Sequence, residues 1–287
     1  MSHEGEVPGS QSGETQALRP LELLTAARRR QKLRKLAVEL AVLLAIVVIG
    51  VVVVLLFRTQ QVDTVLDRFW APALLGSSPV SLSTSFAPVW GLRNPAAGQP
   101  TQREDFVPLT DQFVGAGDLI AIAKLGSMLT RMKRPCRVSI GNGAPLEDLR
   151  AGPAILVGYS YPRSEEISNQ RRFFIDLTYL PPRITDNGAP TKWALPGLPP
   201  DRRTNEDYAI VSRVFHPQTR AMRVEISGIT QYGTEAASAL VTNSNLLAEA
   251  LRTAPRDWER KNLQFVLHVK VISGAPASPE VVASYFW

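Results

Sequence analysis

The chain has 287 residues, 45% of them apolar, and a formal net charge of +6, which is enough length and apolar content for a large cored domain. Seven of its cationic and five of its acidic residues fall in residues 1–57. The rest of the positive net charge is spread over the remainder of the chain, which is too dispersed for a nucleic-acid-binding face. The single cysteine, Cys136, excludes an intrachain disulfide and a metal site of the CxxC type.

The N-terminal segment divides into a tail and a membrane-spanning helix. Residues 1–19 are rich in Gly, Ser, Glu and Gln, which predicts a disordered tail. Residues 20–57 begin with Pro20, contain the basic run RRRQKLRK and end in eighteen consecutive apolar residues. With its flanks, the apolar run is long enough to cross the roughly 30 Å hydrocarbon core of a bilayer. We therefore predict a basic juxtamembrane helix that continues into a transmembrane helix, with the lipid bilayer as a partner.

The charges beside the apolar run predict its orientation. Six Lys and Arg residues lie shortly before the run and two lie shortly after it. The positive-inside rule then predicts a cytoplasmic tail and a domain outside the cytoplasm. A cleaved signal peptide is the alternative, but the basic region is long and no A-x-A site follows, which favours an uncleaved anchor. Ala37, Ala41 and Ala45 lie four residues apart in the predicted transmembrane helix. Small residues at this spacing would let two such helices pack closely as a homodimer. Alanine is common in transmembrane helices, so chance is the favoured explanation of the spacing.

A stalk helix is predicted between the anchor and the domain, at residues 58–76. Val65, Phe69 and Trp70 lie at helical spacing, so their side chains should form an apolar stripe that packs on the domain. Trp70 could instead lie at the membrane interface, but its separation from the apolar run disfavours that position. Pro72 and the following sequence GSSP, residues 76–79, should end the helix.

Residues 77–287 are predicted to form one α/β domain with a mixed sheet, Rossmann-like or similar to a solute-binding lobe. Residues 118–132 have the pattern of an amphipathic helix that Asp118 could cap. One strand precedes this helix and two follow it, the last so apolar that it should be buried on both faces of a parallel sheet. This alternation is typical of βαβ units. The three strands are 79–86, 136–141 and 153–159.

The remaining predicted elements follow the same turn and periodicity signals. The predicted loops are 87–105 and 181–206. The predicted helical segments are 146–149, 164–172 and 234–254, the last one broken near Asn243. The predicted strands are 172–180, 207–216, 221–229, 263–273 and 280–287, of which the second and third form one hairpin and the last two form another.

The first candidate site is the glycine-rich turn between the strand that ends at residue 229 and the next helix. Free N–H groups and the positive end of the helix dipole favour an anion there. The spacing is similar to that of a nucleotide P-loop, but Thr234 replaces the lysine that grips the phosphates. Two interpretations stay open, a plain glycine turn capped by Thr234 and a ligand-binding turn. The binding residues would be Thr230, Tyr232, Gly233 and Thr234.

The second candidate site is the sequence GYSYP at residues 158–162, where the buried strand ends. It is close to the G-x-S-x-G nucleophile elbow, but Pro162 replaces the second glycine, and only His216 and His268 are available as bases. This disfavours a hydrolase. The pattern favours a pocket mouth beyond the strand end. Its lining residues would be Tyr159, Ser160 and Tyr161.

Arg213 is the third candidate, because it interrupts an otherwise apolar strand. It could bind an anion in a cleft, or it could pair with Glu225 across the predicted hairpin, which we favour. The acidic residues of the domain are not spaced for acid–base chemistry or for metal binding. The sequence therefore predicts no catalytic residues, no metal and no cofactor.

Several segments resemble a family of bacterial membrane-anchored proteins. They are GAGDLIAIAKL, AILVGYSYPR, EDYAIVSRVFHPQT, ISGITQYGTEAASALVTN and WERKNLQFVLHVKVI, and with the terminal aromatic residue they cover most of residues 105–287. The resemblance implies a single-pass protein of the bacterial inner membrane with an extracytoplasmic α/β domain, and it carries over no functional residue. The element order is also similar to that of periplasmic solute-binding lobes, which is a likeness of fold alone.

These features predict a non-catalytic, membrane-anchored binding or sensory module. Its partner would be a small-molecule ligand, anionic if the helix N-terminus holds it. The alternative is a structural or assembly component of a cell-envelope protein complex, which would use the anchor and the sheet edge at residues 280–287. An enzyme is the least favoured class.

Overall fold

The structure is a computed structural model that describes residues 18–59, 64–75, 78–87, 89–93, 100–109, 113–141, 152–158, 171–217 and 219–287. The chain divides into two compact units, Met1–Val62 and Asp63–Trp287. The predicted helical segment 146–149 lies outside the described residues. Of the predicted helical segment 164–172, only residues 171 and 172 are described.

The first unit contains one long helix, α1, which spans Leu18–Thr59. Its window Arg34–Val53 has 20 residues, is long and apolar enough to cross a membrane, and has exposed side chains. The predicted juxtamembrane and transmembrane segments are therefore one continuous helix. By length and composition, such a helix near an N-terminus can be a membrane anchor or a signal sequence.

The second unit is a mixed α/β fold with a curled mixed sheet. Its helices are α2 (Val65–Leu74), α3 (Ala116–Arg131), α4 (Gln231–Thr242) and α5 (Ser244–Ala250). Its first strands are β1 (Val80–Thr84), β2 (Val89–Leu92), β3 (Phe106–Leu109), β4 (Cys136–Ile140), β5 (Ala154–Val157), β6 (Phe173–Asp176), β7 (Arg183–Asp186) and β8 (Ala189–Ala194). The last strands are β9 (Glu206–Phe215), β10 (Met222–Gly228), β11 (Leu263–Ile272), β12 (Ala275–Pro276) and β13 (Glu280–Phe286).

The main sheet is parallel in one half and antiparallel in the other. Its strand order is β4-β1-β5-β10-β9-β11-β13, with the short β12 paired to the end of β11. The strands from β4 to β10 are parallel, and those from β10 to β13 are antiparallel. β5 is buried at all four positions, as the sequence predicted for a strand inside a parallel sheet.

The connections of the parallel half diverge between β1 and β5. From β1 the chain passes through α3 to β4 on one side, whereas β5 lies on the other side of β1. Such a divergence is a topological switch point, the place where open α/β sheets generally have a crevice beyond the carboxyl ends of the strands.

The main core lies between one face of the sheet and helices α2 to α5. Alternate residues of the strands point to this face because side chains alternate along a strand. The fully buried members from the strands include Leu82, Val157, Val224, Val211 and Phe265. Those from the helices include Phe69, Trp70, Leu125, Leu240 and Leu247.

A second, smaller core lies on the opposite face of the sheet. There β6, β7 and β8 form a separate three-stranded antiparallel sheet, whose Phe173 and Ile184 pack with Ile210 and Val266. The fully buried Gln264 joins the two sheets, because its amide nitrogen donates to the carbonyl of Phe173 at 3.0 Å and its amide oxygen accepts from the N–H of Phe173 at 3.0 Å. Burial of this amide is tolerated because both its ends are hydrogen-bonded.

α2 is part of the globular core. Phe69 and Trp70 are 0% exposed, and the indole Nε1 of Trp70 donates to the carbonyl of Val241 at 2.8 Å. The predicted packing stripe is confirmed, and the alternative position of Trp70 at a membrane interface is wrong. Pro72 lies inside α2 rather than at its end, since the N–H of Leu75 still bonds the carbonyl of Ala71 and completes the last turn.

Both predicted loops contain strands. Segment 181–206 holds β7 and β8, which are joined by Asn187 and Gly188 with φ of 48° and 80°, the conformation of a two-residue hairpin turn. Segment 87–105 holds β2, which pairs with β3. The prediction of a loop at 181–206 was wrong because it treated the prolines as incompatible with a strand. Pro190 lies in the edge strand β8, where a missing N–H is tolerated.

The later elements agree with the sequence more closely. The predicted β9–β10 hairpin, the helix break at Asn243 and the paired C-terminal strands are confirmed. The predicted strand 172–180 shortens to β6 and belongs to the separate small sheet rather than to the main sheet.

Candidate functional site

The first turns of α3 and α4 meet at the edge where β1, β5 and β10 end. Gly117 in α3 lies so close to α4 that an added Cβ would overlap the backbone of Gln231. In open α/β sheets, ligands bind in the crevice beyond the carboxyl ends of the strands at the switch point. We call this region the switch-point crevice. The residues that define it are Ser85, Asp118, Gly158, Ser227 and Thr234.

Gly158 is the point on which the crevice residues converge. It follows β5 with a φ of +92°, and an added Cβ would lie 2.9 Å from both Asp118 Oδ2 and Ser85 Oγ. A side chain is therefore excluded by backbone conformation and by space. The hydroxyl of Ser227 donates to the carbonyl of Gly158 at 3.0 Å, which fixes the turn at the end of β5.

Asp118 is the titratable group of the crevice. It is the third residue of α3, whose N-cap is Gly115, so the prediction that Asp118 caps the helix is wrong. Burial raises the pKa of Asp118 to about 6, and a hydrogen bond from Thr234 partly offsets that rise. Because Thr234 Oγ1 accepts from the N–H of Gly228 at 3.0 Å, its own proton is free to point at the carboxylate. Asp118 can therefore accept hydrogen bonds when charged and donate one when protonated.

The N-terminus of α4 is occupied by a carboxylate of the protein itself. Asp207 is 0% exposed and accepts hydrogen bonds from the N–H groups of Gly233 at 2.6 Å, Tyr208 at 2.7 Å and Thr230 at 3.1 Å. Burial raises the pKa of Asp207 to about 7, against the effect of these bonds and of the Thr230 hydroxyl. The N–H groups on which the predicted anion site depends are thus already bonded within the protein.

The predicted site residues are distributed as follows. Thr230 is the N-cap of α4, with a side chain that accepts from the N–H of Tyr232, so the helix is capped by Thr230 rather than by Thr234. The structure brings Thr234 to the crevice and leaves Gly233 on Asp207. All four predicted residues of this turn are buried: Thr230, Tyr232, Gly233 and Thr234. Three predicted residues lie outside the described part of the chain: Tyr159, Ser160 and Tyr161.

Arg213 lies away from the crevice. Its partner in β10 is Val224, four residues before the end of that strand. The fully buried guanidinium donates to the carbonyls of Trp258 at 2.7 Å, Lys261 at 2.9 Å and Phe69 at 3.3 Å. Burial lowers the pKa of Arg213 to about 10, although Glu259 partly offsets this. These contacts tie α2 and the segment after α5 to the centre of the sheet.

The predicted pair between Arg213 and Glu225 is wrong. Glu225 lies opposite Ser212, one residue out of register with Arg213, so the two side chains point to opposite faces of the sheet. Glu225 forms its ion pair with Arg171 instead. Burial raises the pKa of Glu225, and Arg171 and Arg223 act against that rise.

The described residues of the crevice offer hydrogen-bond donors and acceptors. His216 accepts from the N–H of Thr219 through Nδ1, and His268 Nε2 lies 3.1 Å from Glu206, so neither is the base that Ser85 would need as a nucleophile. Across the described residues, no group of three His, Cys, Asp or Glu side chains could hold a metal ion. What the crevice can do is accept and donate hydrogen bonds to a polar ligand.

Sequence reasoning missed Ser85, Asp118 and Asp207 as site residues. Each had a positional signal, since Ser85 ends a predicted strand, Asp118 opens a predicted helix and Asp207 opens a predicted strand. The convergence of Ser85 and Asp118 at Gly158 depends on β1 lying next to β5, and pattern alone does not supply that order.

No known family model matches the chain, and no curated protein matches it at a significant level. Function must therefore be inferred from the site itself.

Proposed function

We propose that the protein is a membrane-anchored, non-catalytic binding or sensory module whose small ligand occupies the switch-point crevice. The observation that supports this most is the convergence of Ser85 and Asp118 over the bare backbone of Gly158, where the strand connections diverge. The bare backbone of Gly158 lets these two side chains approach it closely, and together they can supply hydrogen bonds to a ligand beside them.

The charges of the site favour a polar ligand over an anion. The carboxyl groups of Asp118 and Asp207 both lie at helix N-termini, which are the positions an anion would take. A second negative charge beside them would be repelled whenever either group is ionised. The ligand we propose therefore presents hydroxyl or amine donors, as sugars, polyols and amines do.

A thermal-shift screen of sugars, polyols, nucleosides and amines against the full chain tests this function. We expect at least one compound to raise the melting temperature of the natural protein and of the control variant Asp257→Ala, which removes an exposed carboxylate. The same compound should have no effect on Asp118→Ala, because the accepting carboxylate is gone. Stabilisation that persists in Asp118→Ala, or no stabilisation by any compound, would contradict the proposal.

The module is proposed to be held at the bacterial inner membrane by α1, uncleaved, with its N-terminus in the cytoplasm and the α/β unit outside. The exposed apolar window Arg34–Val53 and the excess of Lys and Arg before it support this topology. A reporter that is active only outside the cytoplasm, fused after Trp287, should be active. Loss of the first 57 residues from the mature protein, read by mass spectrometry, would show a signal sequence instead of an anchor.

The alternative function, a structural or assembly component of an envelope complex, is favoured by one observation. β13 pairs with β11 through one edge, and no other strand among the described residues pairs with its second edge. An open edge can add a strand from a partner. Co-purification of a protein partner that is lost in Val282→Pro, together with a negative ligand screen, would favour this function over ligand binding.

A further inference from the structure

A second cavity lies at the same edge of the main sheet, beside the start of β9 and the end of β11. Its volume is about 530 Å³, and its walls come from the loop between β8 and β9 and from the two strand ends. It is separate from the switch-point crevice, since β10 and β9 lie between it and β5 in the sheet. The lining residues used below are Pro196, Leu198, Arg203, Glu206, His268 and Lys270.

The loop that forms the wall is held to the rest of the unit by hydrogen bonds. Arg202 donates to the carbonyl of Ile229 at 3.2 Å, and the N–H of Val271 donates to the carbonyl of Asn205 at 2.8 Å. Thr204 Oγ1 donates to the carbonyl of Glu206 at 2.8 Å, and Leu198 packs against the smaller core. The cavity is therefore a built feature of the fold and not a gap beside a loose loop.

The charges of the lining leave an unbalanced positive side. Glu206 is engaged by His268, whose Nε2 lies 3.1 Å from the carboxylate and whose ring lies 5.2 Å from that of Tyr208. Arg203 reaches only the exposed Asp201, at 3.7 Å, and Lys270 forms no ion pair within the described part of the chain. Two cations thus remain able to hold an incoming anion.

The lining also has an apolar part, which consists of Pro196, Leu198 and Pro199. A ligand that satisfies both parts of the lining has one negative group and a short hydrocarbon part. A monocarboxylate has this chemistry. A ligand with two negative charges is less favoured, because the carboxylate of Glu206 in the lining would repel it more strongly.

We propose that this cavity binds a small aliphatic monocarboxylate, with its carboxylate between Arg203 and Lys270 and its hydrocarbon chain against Pro196 and Leu198. The site goes beyond the function proposed above and does not depend on it, because the two cavities share no residue.

Isothermal titration calorimetry of the full chain with 3-methylbutanoate tests the site, and 3-methylbutanamide serves as the neutral isostere. We expect saturable binding of the carboxylate and binding of the amide that is weaker by about tenfold or more. Arg203→Gln and Lys270→Gln should each weaken carboxylate binding about tenfold and leave amide binding unchanged. Arg256→Gln, which removes an exposed cation elsewhere, should change neither.

Glu206→Gln should strengthen carboxylate binding, whereas Arg203→Gln and Lys270→Gln should weaken it. It removes the negative charge from the lining, so carboxylate binding should tighten several-fold, which a folding defect would not produce. Absence of saturable carboxylate binding, equal binding of acid and amide, or unchanged binding in both Arg203→Gln and Lys270→Gln would overturn the proposal.

Discussion

Arg213, Asp207 and Asp118 are charged side chains that are buried or half-buried in the α/β unit. They differ in the number of hydrogen-bond partners that each has. Arg213 has four carbonyl partners and Asp207 has N–H and hydroxyl partners from three residues. The pKa of Asp118, in contrast, is shifted by burial and by one hydrogen bond, from Thr234. A charge with many fixed partners contributes to the unique packing of a core, whereas one with few partners can respond to pH or to a ligand. Asp118 has the fewest fixed partners of the three.

Replacing Arg213 with methionine should strongly destabilise the unit. Methionine fills much of the volume but leaves the carbonyl of Lys261 without its donor. It also removes one of the two donors to the carbonyl of Trp258, which still accepts from the N–H of Lys261. We expect the free energy of unfolding to fall by about 3 kcal/mol. Urea denaturation followed by circular dichroism measures this. Arg256→Met is the matched exposed control, and equal midpoints for the two variants would show that the Arg213 contacts are not stabilising.

The titration of Asp118 should make stability depend on pH. Its pKa is raised from 3.8 to about 6 in the folded chain, so the folded state holds an extra proton between these values. The corresponding stability is fully present below about pH 4 and is lost as the pH rises through about 6. Asp118→Asn should therefore make the fall in the free energy of unfolding between about pH 4 and pH 6 shallower, and the part of the fall that comes from Asp207, whose pKa is raised to about 7, should remain. Urea midpoints across that range measure it, and Asp257→Asn, as an exposed control, should keep the natural slope.

At the scale of elements, the contact between the first turns of α3 and α4 decides the geometry of the crevice. These two helices begin beside one another because Gly117 has no side chain and Thr230 caps α4 at the end of β10. The contact holds Asp118 on α3 within reach of Thr234 on α4. A change that separates the helices by the width of one methyl group should therefore open the crevice.

Two glycines of α3 provide a matched test of this contact. Gly117→Ala would place a methyl group against the backbone of Gln231, whereas Gly126→Ala would place one in open space. We expect Gly126→Ala to stabilise by about 0.5–1 kcal/mol through helix propensity, and Gly117→Ala to destabilise by about 2 kcal/mol or more. Thermal unfolding of both variants measures the difference. Stabilisation by both would show that α3 can move away from α4 at no cost.

At the scale of the whole molecule, the boundary between the two units falls before α2. Residues 63–287 keep Phe69, Trp70 and Ala73, which are 0–1% exposed in the main core. The sequence analysis assigned this helix to the stalk, but its buried side chains are part of the main core of the α/β unit. Removing α2 would take away Phe69 and Trp70 and uncover the part of the core that they cover.

Two truncations test this boundary. Residues 63–287, expressed alone, should unfold in a single cooperative transition. Residues 76–287 lack two large core side chains, each worth about 3–5 kcal/mol, and should be unfolded or molten. Near-ultraviolet circular dichroism and urea titration distinguish these states. Equal cooperativity in the two fragments would place α2 outside the folding unit.

The sequence predicts the elements of this fold better than it predicts their neighbours. β1, α3, β5, β9 and β11 all have clear periodicity, and each lies within a few residues of its predicted bounds. The small sheet was missed because Pro190 and the surrounding prolines outweighed the Asn187–Gly188 turn signal. The meeting of Ser85, Asp118 and Gly158 could not be predicted, because it depends on β5 lying next to β1, more than one strand away in the chain. The role of Asp207 was within reach of the sequence, because the predicted β9–β10 hairpin places it beside the turn that holds Thr230 and Gly233.

The division of the main sheet into two halves has a consequence for how the chain folds. β9 pairs with β10, and β11 with β13, as local hairpins near the C-terminus, whereas each parallel pairing of β1, β4, β5 and β10 joins strands that are separated by other elements. Because closing long loops costs more entropy, the C-terminal half should fold first and serve as the template for the parallel half. Pulsed hydrogen exchange during refolding should protect the amides of β9 and β11 before those of β1 and β4. Simultaneous protection of all four strands would indicate a single folding nucleus across the whole sheet.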